Sequence, residues 1–229
     1  MTIRVALVAG ALLAGSVQAS VLTYDPTLGS LPQAQGWSFA GSFAAPMNVA
    51  GGQLTYGPTT TNGTTYWEHA PVAALDFSSQ TVFIEATVRL ANAGFGNISG
   101  FRRGGFSLYL QDGAGRWIIA DMGDNAISLG NDNNRTSDPA ATFNLTNAFH
   151  TIRLEAGPSG SRLLVDGVPQ LSLALGGGAS GGSLGWWGEG TVLTSAGSTE
   201  IRGVTFVPAP GSLTAASLAF AAACRRRRR

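Results

Sequence analysis

The chain has 229 residues, of which 12% are charged, 32 are glycine and one, Cys224, is cysteine. A single cysteine excludes an internal disulfide and a cysteine metal cluster, so the fold depends on its apolar core. All 14 basic residues are arginine, and six of them, Arg4 and Arg225–Arg229, lie near the chain ends. The body between holds fewer arginines than its 13 acidic residues. This acidic balance argues against nucleic-acid binding, which needs a basic surface.

Residues 1–19 have the three parts of a secretory signal peptide. These parts are a positive charge at Arg4, an apolar run from Val5 to Gly15, and small residues that end at Ala19. We predict a signal helix that enters the secretion machinery and is cleaved after Ala19 by signal peptidase. The apolar run is shorter than the roughly 20 residues that span a bilayer.

Residues 20–206 show short strands rather than helices, which predicts an all-β domain, an antiparallel sandwich or barrel. Segment 81–90 alternates most clearly, and its even-numbered residues from Val82 to Leu90 are predicted to face the core. Segment 105–111 alternates likewise, and Asp112-Gly113 predicts a hairpin turn after it. Further strands are predicted at 116–120, 149–156, 162–165, 168–171 and 199–207, whereas 92–104 and 121–139 are predicted loops.

Residues 149–173 resemble the strand–turn–strand unit of concanavalin-like jelly rolls, the superfamily of laminin-G and legume-lectin-like domains. Phe149-His150 matches the aromatic–histidine pair that opens a strand there, and Val165-Asp166-Gly167 matches the following hairpin. An upstream strand at 83–90 also fits. The resemblance implies a concanavalin-like β-sandwich (jelly roll) in which His150 has a structural role.

Catalytic signatures are missing from the sequence. Retaining glucanases of this fold carry Glu-x-Asp-x-x-Glu on one strand, which sets two carboxyl groups about 5–5.5 Å apart, and this triplet does not occur here. Glu85 has no carboxylate two residues away, and His69 and His150 have no metal spacing. We therefore predict that the protein is not an enzyme and has no cofactor other than a candidate calcium ion; a glycan hydrolase is the less favoured alternative.

The densest set of carboxylates lies in the predicted loop 121–139, among several asparagines. Calcium takes six to eight oxygen ligands, often from such loops, and domains of the family that the chain resembles often bind calcium. The spacing is not that of an EF-hand, and Asn/Asp-rich sequence is equally typical of a solvated turn, which we favour. The candidate calcium loop comprises Asp121, Asp124, Asp132 and Asp138.

Two adjacent aromatic pairs, Tyr66-Trp67 and Trp186-Trp187, indicate a candidate ligand surface, because exposed rings can stack on sugars. Neighbours on a strand face opposite sides, so one member of each pair is expected in the core and the other at the surface. The alternative is that these rings pack in the core or at a sheet edge. With nearby carboxylates, the candidate ligand surface comprises Trp67, Glu68, Trp186, Trp187 and Glu189.

Residues 207–229 contain a proline motif, an apolar segment from Leu213 to Cys224, and five terminal arginines. This order resembles the PEP-CTERM sorting signal of bacteria, with Ala209 in place of the usual glutamate. The resemblance implies processing by an exosortase, a membrane protease-transpeptidase, after a short apolar tail helix tethers the chain transiently to the inner membrane. Positive residues stay cytoplasmic in such a tether. The predicted sorting residues are Val207, Pro208, Ala209, Pro210, Gly211, Arg225, Arg226, Arg227, Arg228 and Arg229.

The sequence thus predicts a signal peptide (1–19), a β-sandwich domain (20–206) and a sorting tail (207–229). We expect an exported protein of the bacterial cell envelope, outer surface or extracellular matrix, with a lectin-like sandwich that binds exopolysaccharide. A structural or adhesive matrix protein without a specific ligand is the alternative.

Overall fold

The computed structural model describes residues 21–40, 47–57, 63–69, 75–91, 95–98, 101–131, 138–176, 184–190 and 198–208. Contacts group Ser20–Ala209 into one compact unit, which contains all of these ranges. The predicted signal peptide and the tail beyond Pro208 lie outside the described residues.

The described residues form short strands and two short 3-10 helices, Pro26–Leu28 and Pro32–Gln35. The strands of the first half are β1 (Leu22–Tyr24), β2 (Ser38–Phe39), β3 (Met47–Ala50), β4 (Gln53–Tyr56), β5 (Gly63–His69), β6 (Val82–Ala91), β7 (Phe95–Ile98), β8 (Phe101–Gly104) and β9 (Phe106–Gln111). Those of the second half are β10 (Trp117–Met122), β11 (Ala126–Gly130), β12 (Ala140–Thr142), β13 (His150–Gly157), β14 (Gly160–Val165), β15 (Val168–Leu173), β16 (Leu184–Gly190) and β17 (Ser198–Val207).

Two antiparallel sheets build the sandwich. The eight-stranded sheet has the order β15-β14-β13-β6-β17-β4-β3, with β1 also paired to β17. The seven-stranded sheet has the order β12-β11-β10-β9-β16-β5-β2, and β7 with β8 forms a separate hairpin. Both sheets contribute to one hydrophobic core, as expected for a sandwich whose strands each bury one face. The predicted antiparallel β-sandwich is confirmed.

Strand β6 shows how directly the alternation determines the core. Val82, Ile84, Ala86, Val88 and Leu90 are all buried, whereas the residues between them are partly exposed. Burial of five apolar side chains on one strand stabilises the fold by about 1.5–3 kcal/mol for each large one. The strand lies in the middle of its sheet, between β13 and β17, so both of its edges are paired.

The β13–β14–β15 unit is the predicted strand–turn–strand motif. Asp166 (φ 51°) and Gly167 (φ 77°) both have positive φ, which is the requirement of a tight hairpin of the I′ kind. His150 Nδ1 lies 2.7 Å from Asp166 Oδ2, and His150 Nε2 lies 3.0 Å from Asn147 Oδ1. The histidine therefore links the start of β13 to the β14–β15 turn, and its predicted structural role is confirmed.

Two predicted loops contain strands. Region 121–139 includes the end of β10 and all of β11, and Ile127 and Leu129 of the apolar insert are fully buried. Region 92–104 includes β7 and β8. The loop prediction was wrong because glycine and asparagine dominate these sequences, whereas pairing with β10 supplies the order in β11.

Candidate functional site

The candidate site is the outer face of the seven-stranded sheet, which we define by Glu68, Ser107, Tyr109, Trp117, Ile119, Asp121 and Ser128. On β9, Phe106, Leu108 and Leu110 point into the core, so the alternate residues Ser107 and Tyr109 lie on the opposite face. Tyr109, Ile119 and Trp117 form a second apolar cluster, separate from the main core.

The middle of the outer face is buried, although an outer sheet face is usually solvated. Ser107 and Ile119 are fully buried, and Asp121 is 1% exposed. The Ser107 hydroxyl donates to Asp121 Oδ1 at 2.6 Å, and Ser128 stands opposite Asp121 on β11. A buried carboxylate needs such hydrogen bonds, because its desolvation is costly. The centre is therefore a fixed polar floor.

One glycine allows the outer face to connect β9 with β5. Gly185 on β16 stands in register between Tyr109 and Glu68, and the Tyr109 hydroxyl donates to Glu68 Oε2 at 3.2 Å across it. A Cβ at Gly185 would lie 2.3 Å from the Trp67 carbonyl oxygen and 2.6 Å from Tyr109 Cε1. The absence of a side chain at this position is thus what lets the tyrosine reach the carboxylate. Glu68 and Trp117 are partly exposed.

Two residues of the predicted ligand surface are in the core instead. Trp67 and Trp186 are both fully buried, face each other in register, and have ring centroids 5.9 Å apart. Trp186 also stacks on Tyr24 and meets Trp37 edge-on. Their assignment to a ligand surface was wrong, and the core-packing alternative holds for both. The sequence could not decide which member of each pair faces inward, because that depends on the opposite sheet.

Glu68 of the predicted ligand surface lies on the outer face. For Trp187 and Glu189, only the backbone lies within the described part of the structure. Trp187 is paired with Ser107 on one side and with Tyr66 on the other, and Glu189 is two residues further along β16. The backbones of both residues therefore lie in β16, the strand that runs between β5 and β9 in the seven-stranded sheet.

The four aspartates of the candidate calcium loop are divided among different settings. Asp121 lies in β10 and bonds Ser107, Asp124 follows that strand, and Asp138 is buried before β12. Asp132 lies outside the described residues. Within the described ranges, no group of three or more histidine, cysteine or acidic side chains is placed to hold a metal ion.

The proline motif begins inside the sandwich. Val207 is the last residue of β17 and pairs with Phe83, and Pro208 is buried. The remaining predicted sorting residues, from Ala209 to Arg229, lie outside the described residues. In the part of the chain that the structure describes, no helix is long and apolar enough to cross a membrane.

Sequence reasoning missed Ser107, Tyr109, Trp117, Ile119 and Ser128 as members of one face. The signal was present for β9, since assigning Phe106, Leu108 and Leu110 inward leaves Ser107 and Tyr109 outward. What the sequence did not contain was the order of the strands, which brings Tyr109 beside Gly185 and Glu68.

Comparison with known proteins finds similarity only at the level of structure: no family model and no curated protein matches the chain. The metal-free Emp46p carbohydrate recognition domain is 14% identical, with a TM-score of 0.52, over 77% of this chain and 91% of that one. The Bacillus licheniformis β-glucanase is 12% identical, with a TM-score of 0.52, over 82% and 98%. The metal-free VIP36 exoplasmic/lumenal domain is 12% identical, with a TM-score of 0.52, over 83% and 97%. The fold is that of the concanavalin-like lectins and glucanases.

Proposed function

We propose that this chain is an exported, carbohydrate-binding β-sandwich protein that binds polysaccharide on the outer face of the seven-stranded sheet. The observation that carries the proposal is the polar and aromatic arrangement around Glu68, Tyr109 and Trp117. The Glu68 carboxylate is oriented by the Tyr109 hydroxyl at 3.2 Å, and Trp117 packs beside Tyr109. Sites of this kind combine apolar and aromatic surface with a few fixed polar groups.

Carbohydrates fit this chemistry because a sugar has hydroxyl groups at its rim and an apolar face. A partly exposed carboxylate accepts hydrogen bonds from hydroxyl groups, and a partly exposed indole offers a flat apolar surface. The buried floor of Ser107 and Asp121 keeps the sheet rigid beneath them, which reduces the entropy lost on binding. Similar solved structures include carbohydrate recognition domains and a β-glucanase, which supports a carbohydrate ligand.

Binding is favoured over hydrolysis by the placement of the described outer-face carboxylates. Glu68 and Asp121 are separated by three strand-to-strand spacings across the sheet, and their positions are offset by two residues along the strands. At about 4.8 Å per strand and 6.8 Å per residue pair, their Cα atoms are roughly 16 Å apart. Glycoside hydrolysis needs two carboxyl groups that converge to about 5–5.5 Å for retention or 6.5–9.5 Å for inversion, whereas the Glu68 carboxylate is bound by Tyr109 and the Asp121 carboxylate by Ser107. The chain is therefore proposed as a binding protein and not as an enzyme.

The binding test uses residues 20–209 and a panel of polysaccharides in a pull-down assay. Glu68→Gln and Trp117→Ala should each weaken binding by about tenfold, the loss expected for a charged hydrogen bond or a stacked ring. Arg162→Gln, an exposed substitution on the other sheet, should leave this binding unchanged. Circular dichroism confirms that each variant is folded. Absence of binding to every polysaccharide would favour the alternative, a structural or adhesive matrix protein without a specific ligand.

The same pull-down assay tests whether calcium supports polysaccharide binding. If calcium supports binding through Asp121, Asp124, Asp132 and Asp138, a chelator will weaken the pull-down and added calcium will restore it. Equal binding with and without the chelator excludes this role.

The proposal includes sorting through the proline motif, apolar segment and arginine cluster to the cell envelope, outer surface or matrix. Signal peptidase would remove residues 1–19, and an exosortase would then process the tail after transient tethering in the membrane. The mass of the protein isolated from its native cells measures both cleavages. Replacement of Arg225–Arg229 by serine should leave a larger, unsorted product; an unchanged mass and location would contradict sorting by this tail.

A further inference from the structure

Arg202 differs from the other arginines whose side chains the structure describes. Arg89, Arg116, Arg153 and Arg162 each form an ion pair with an aspartate or glutamate. Arg202 has no carboxylate partner among the described residues, and its guanidinium lies 3.7 Å from the centroid of the Phe149 ring. It is exposed at the surface of the eight-stranded sheet. The positive charge of Arg202 therefore has no carboxylate partner among the described residues, and the Phe149 ring restricts the position of the guanidinium.

Arg202 lies at a β-bulge of β17. The register of β17 against β6 shifts between Ile201 and Gly203, so Arg202 is the extra residue that has no partner on β6. Bulges redirect a side chain and are frequent next to functional sites.

A second guanidinium lies near the same ring. Arg89 is 5.2 Å from the Phe149 centroid and is paired with Glu200, with Nε 2.9 Å from Glu200 Oε2. The local group thus contains two arginines and one glutamate around an aromatic ring, with a net charge of +1. The sandwich as a whole has more acidic residues than arginines, so this group is a positive point on an acidic surface.

Stacking leaves the donors of a guanidinium free at its edge. An arginine on an aromatic face keeps the planar fork of N–H groups that matches a carboxylate with two parallel hydrogen bonds. Because the ring already restricts Arg202, less side-chain entropy is lost on binding. The acidic surroundings repel a densely charged polyanion, but they leave a single carboxylate within a mostly neutral ligand acceptable.

We propose that Arg202, stacked on Phe149, is a second subsite that binds the carboxylate of a uronic acid residue in the polysaccharide. This inference rests on the proposed function, because it takes the ligand to be a glycan. It places one contact on the eight-stranded sheet, on the opposite side of the sandwich from the outer face. A long polymer that contacts both sheets would be held at two points, which raises avidity.

The test compares a neutral oligosaccharide that contains a single galacturonate residue with the same oligosaccharide after its carboxyl group is reduced to an alcohol. The full chain, Arg202→Gln, Arg202→Lys and Arg162→Gln are measured for affinity to both. Arg162 is the matched control, because it is an exposed arginine of the same sheet whose loss changes the net charge equally. The terminal arginines are present in all four proteins and cancel in the comparison.

The wild-type chain and Arg162→Gln should bind the carboxylated form about tenfold more tightly than the reduced form, which is the value of a charged bidentate contact. Arg202→Gln should abolish this preference, and Arg202→Lys should lose most of it because lysine lacks the planar fork. An equal loss in Arg162→Gln, or full retention in Arg202→Lys, would overturn the subsite in favour of general charge attraction.

Two further outcomes separate this inference from the proposed function. Equal wild-type binding of both oligosaccharides overturns the Arg202 subsite and leaves the outer-face site intact, whereas binding of neither contradicts both. An acidic peptide of equal charge that competes as well as the uronate would overturn the assignment to a glycan.

Discussion

Replacement of Asp112 by alanine should be one of the most destabilising single changes in the described sandwich. Asp112 is fully buried in the turn between β9 and β10, and its carboxylate accepts four hydrogen bonds. The donors are the backbone N–H groups of Phe77, Ala114 and Arg116, at 3.2, 3.0 and 2.9 Å, and Arg116 Nε at 2.7 Å. The hydrogen bond that the Arg116 guanidinium donates to Asp112 also raises the pKa of that guanidinium.

The expected loss follows from what the substitution leaves behind. Loss of the ion pair should cost less than the about 3–5 kcal/mol of a fully buried pair, because Arg116 keeps its contact with Asp76. Each backbone N–H group that is left buried without an acceptor adds about 1–3 kcal/mol, unless water reaches the turn. Domains have a total free energy of unfolding of about 5–15 kcal/mol, so Asp112→Ala should remove a large part of it.

Urea denaturation followed by intrinsic tryptophan fluorescence measures this loss. Asp76→Asn is the matched control, because Asp76 also contacts Arg116, at 2.7 Å, but its side chain is 48% exposed. The control should change the unfolding midpoint far less than Asp112→Ala. If Asp112→Ala unfolds within about 1 kcal/mol of the wild type at an unchanged m-value, the argument from the buried carboxylate is refuted.

Three further predictions concern single positions. Gly185→Ala should weaken both stability and polysaccharide binding, because the added Cβ would meet the Trp67 carbonyl oxygen and the Tyr109 ring. Thermal unfolding measures the stability and the pull-down measures the binding. Wild-type values in both assays would contradict the role of the glycine. Leu129→Ala should cost about 2–5 kcal/mol, because Leu129 is fully buried in β11; a loss below about 0.5 kcal/mol would restore the loop assignment of this segment. Burial, followed by the charge of Asp25, raises the pKa of Tyr24 from 10.0 to about 12. The unfolded chain therefore ionises first, and stability that is fully present below pH 10 should fall as the pH rises towards 12; Tyr24→Phe should lose less in that range, and identical alkaline unfolding curves would argue against it.

The strands that the sequence predicted are those with clear local alternation. Segment 81–90 became β6, and residues 149–171 became the β13–β14–β15 unit, because neighbouring strands there are joined by tight turns. The short strands β1 to β5 were not assigned. They pair with one another only in part, and β1, β4 and β5 depend on β16 or β17, which lie more than a hundred residues away. Such distant pairing leaves little signal in a local window.

Only part of the outer face could be predicted from the sequence. The position of Tyr109 opposite the core followed from the alternation of β9, but its contact with Glu68 required β16 to lie between β9 and β5. The bulge at Arg202 also arises from pairing between distant strands. Local alternation therefore indicated which side chains share a face of a strand, and the strand order decided which side chains of different strands come into contact.

The sequence by itself determined the all-β class, the inward residues of the alternating strands and the structural part of His150, because side chains alternate with a period of two wherever a strand forms. The tertiary structure alone decided that Trp67 and Trp186 pack in the core, that Ser107 and Asp121 are buried on the outer face, and that Arg202 has no carboxylate partner among the described residues. Burial and charge compensation depend on which strands become neighbours, and that is a property of the whole sandwich and not of any short segment.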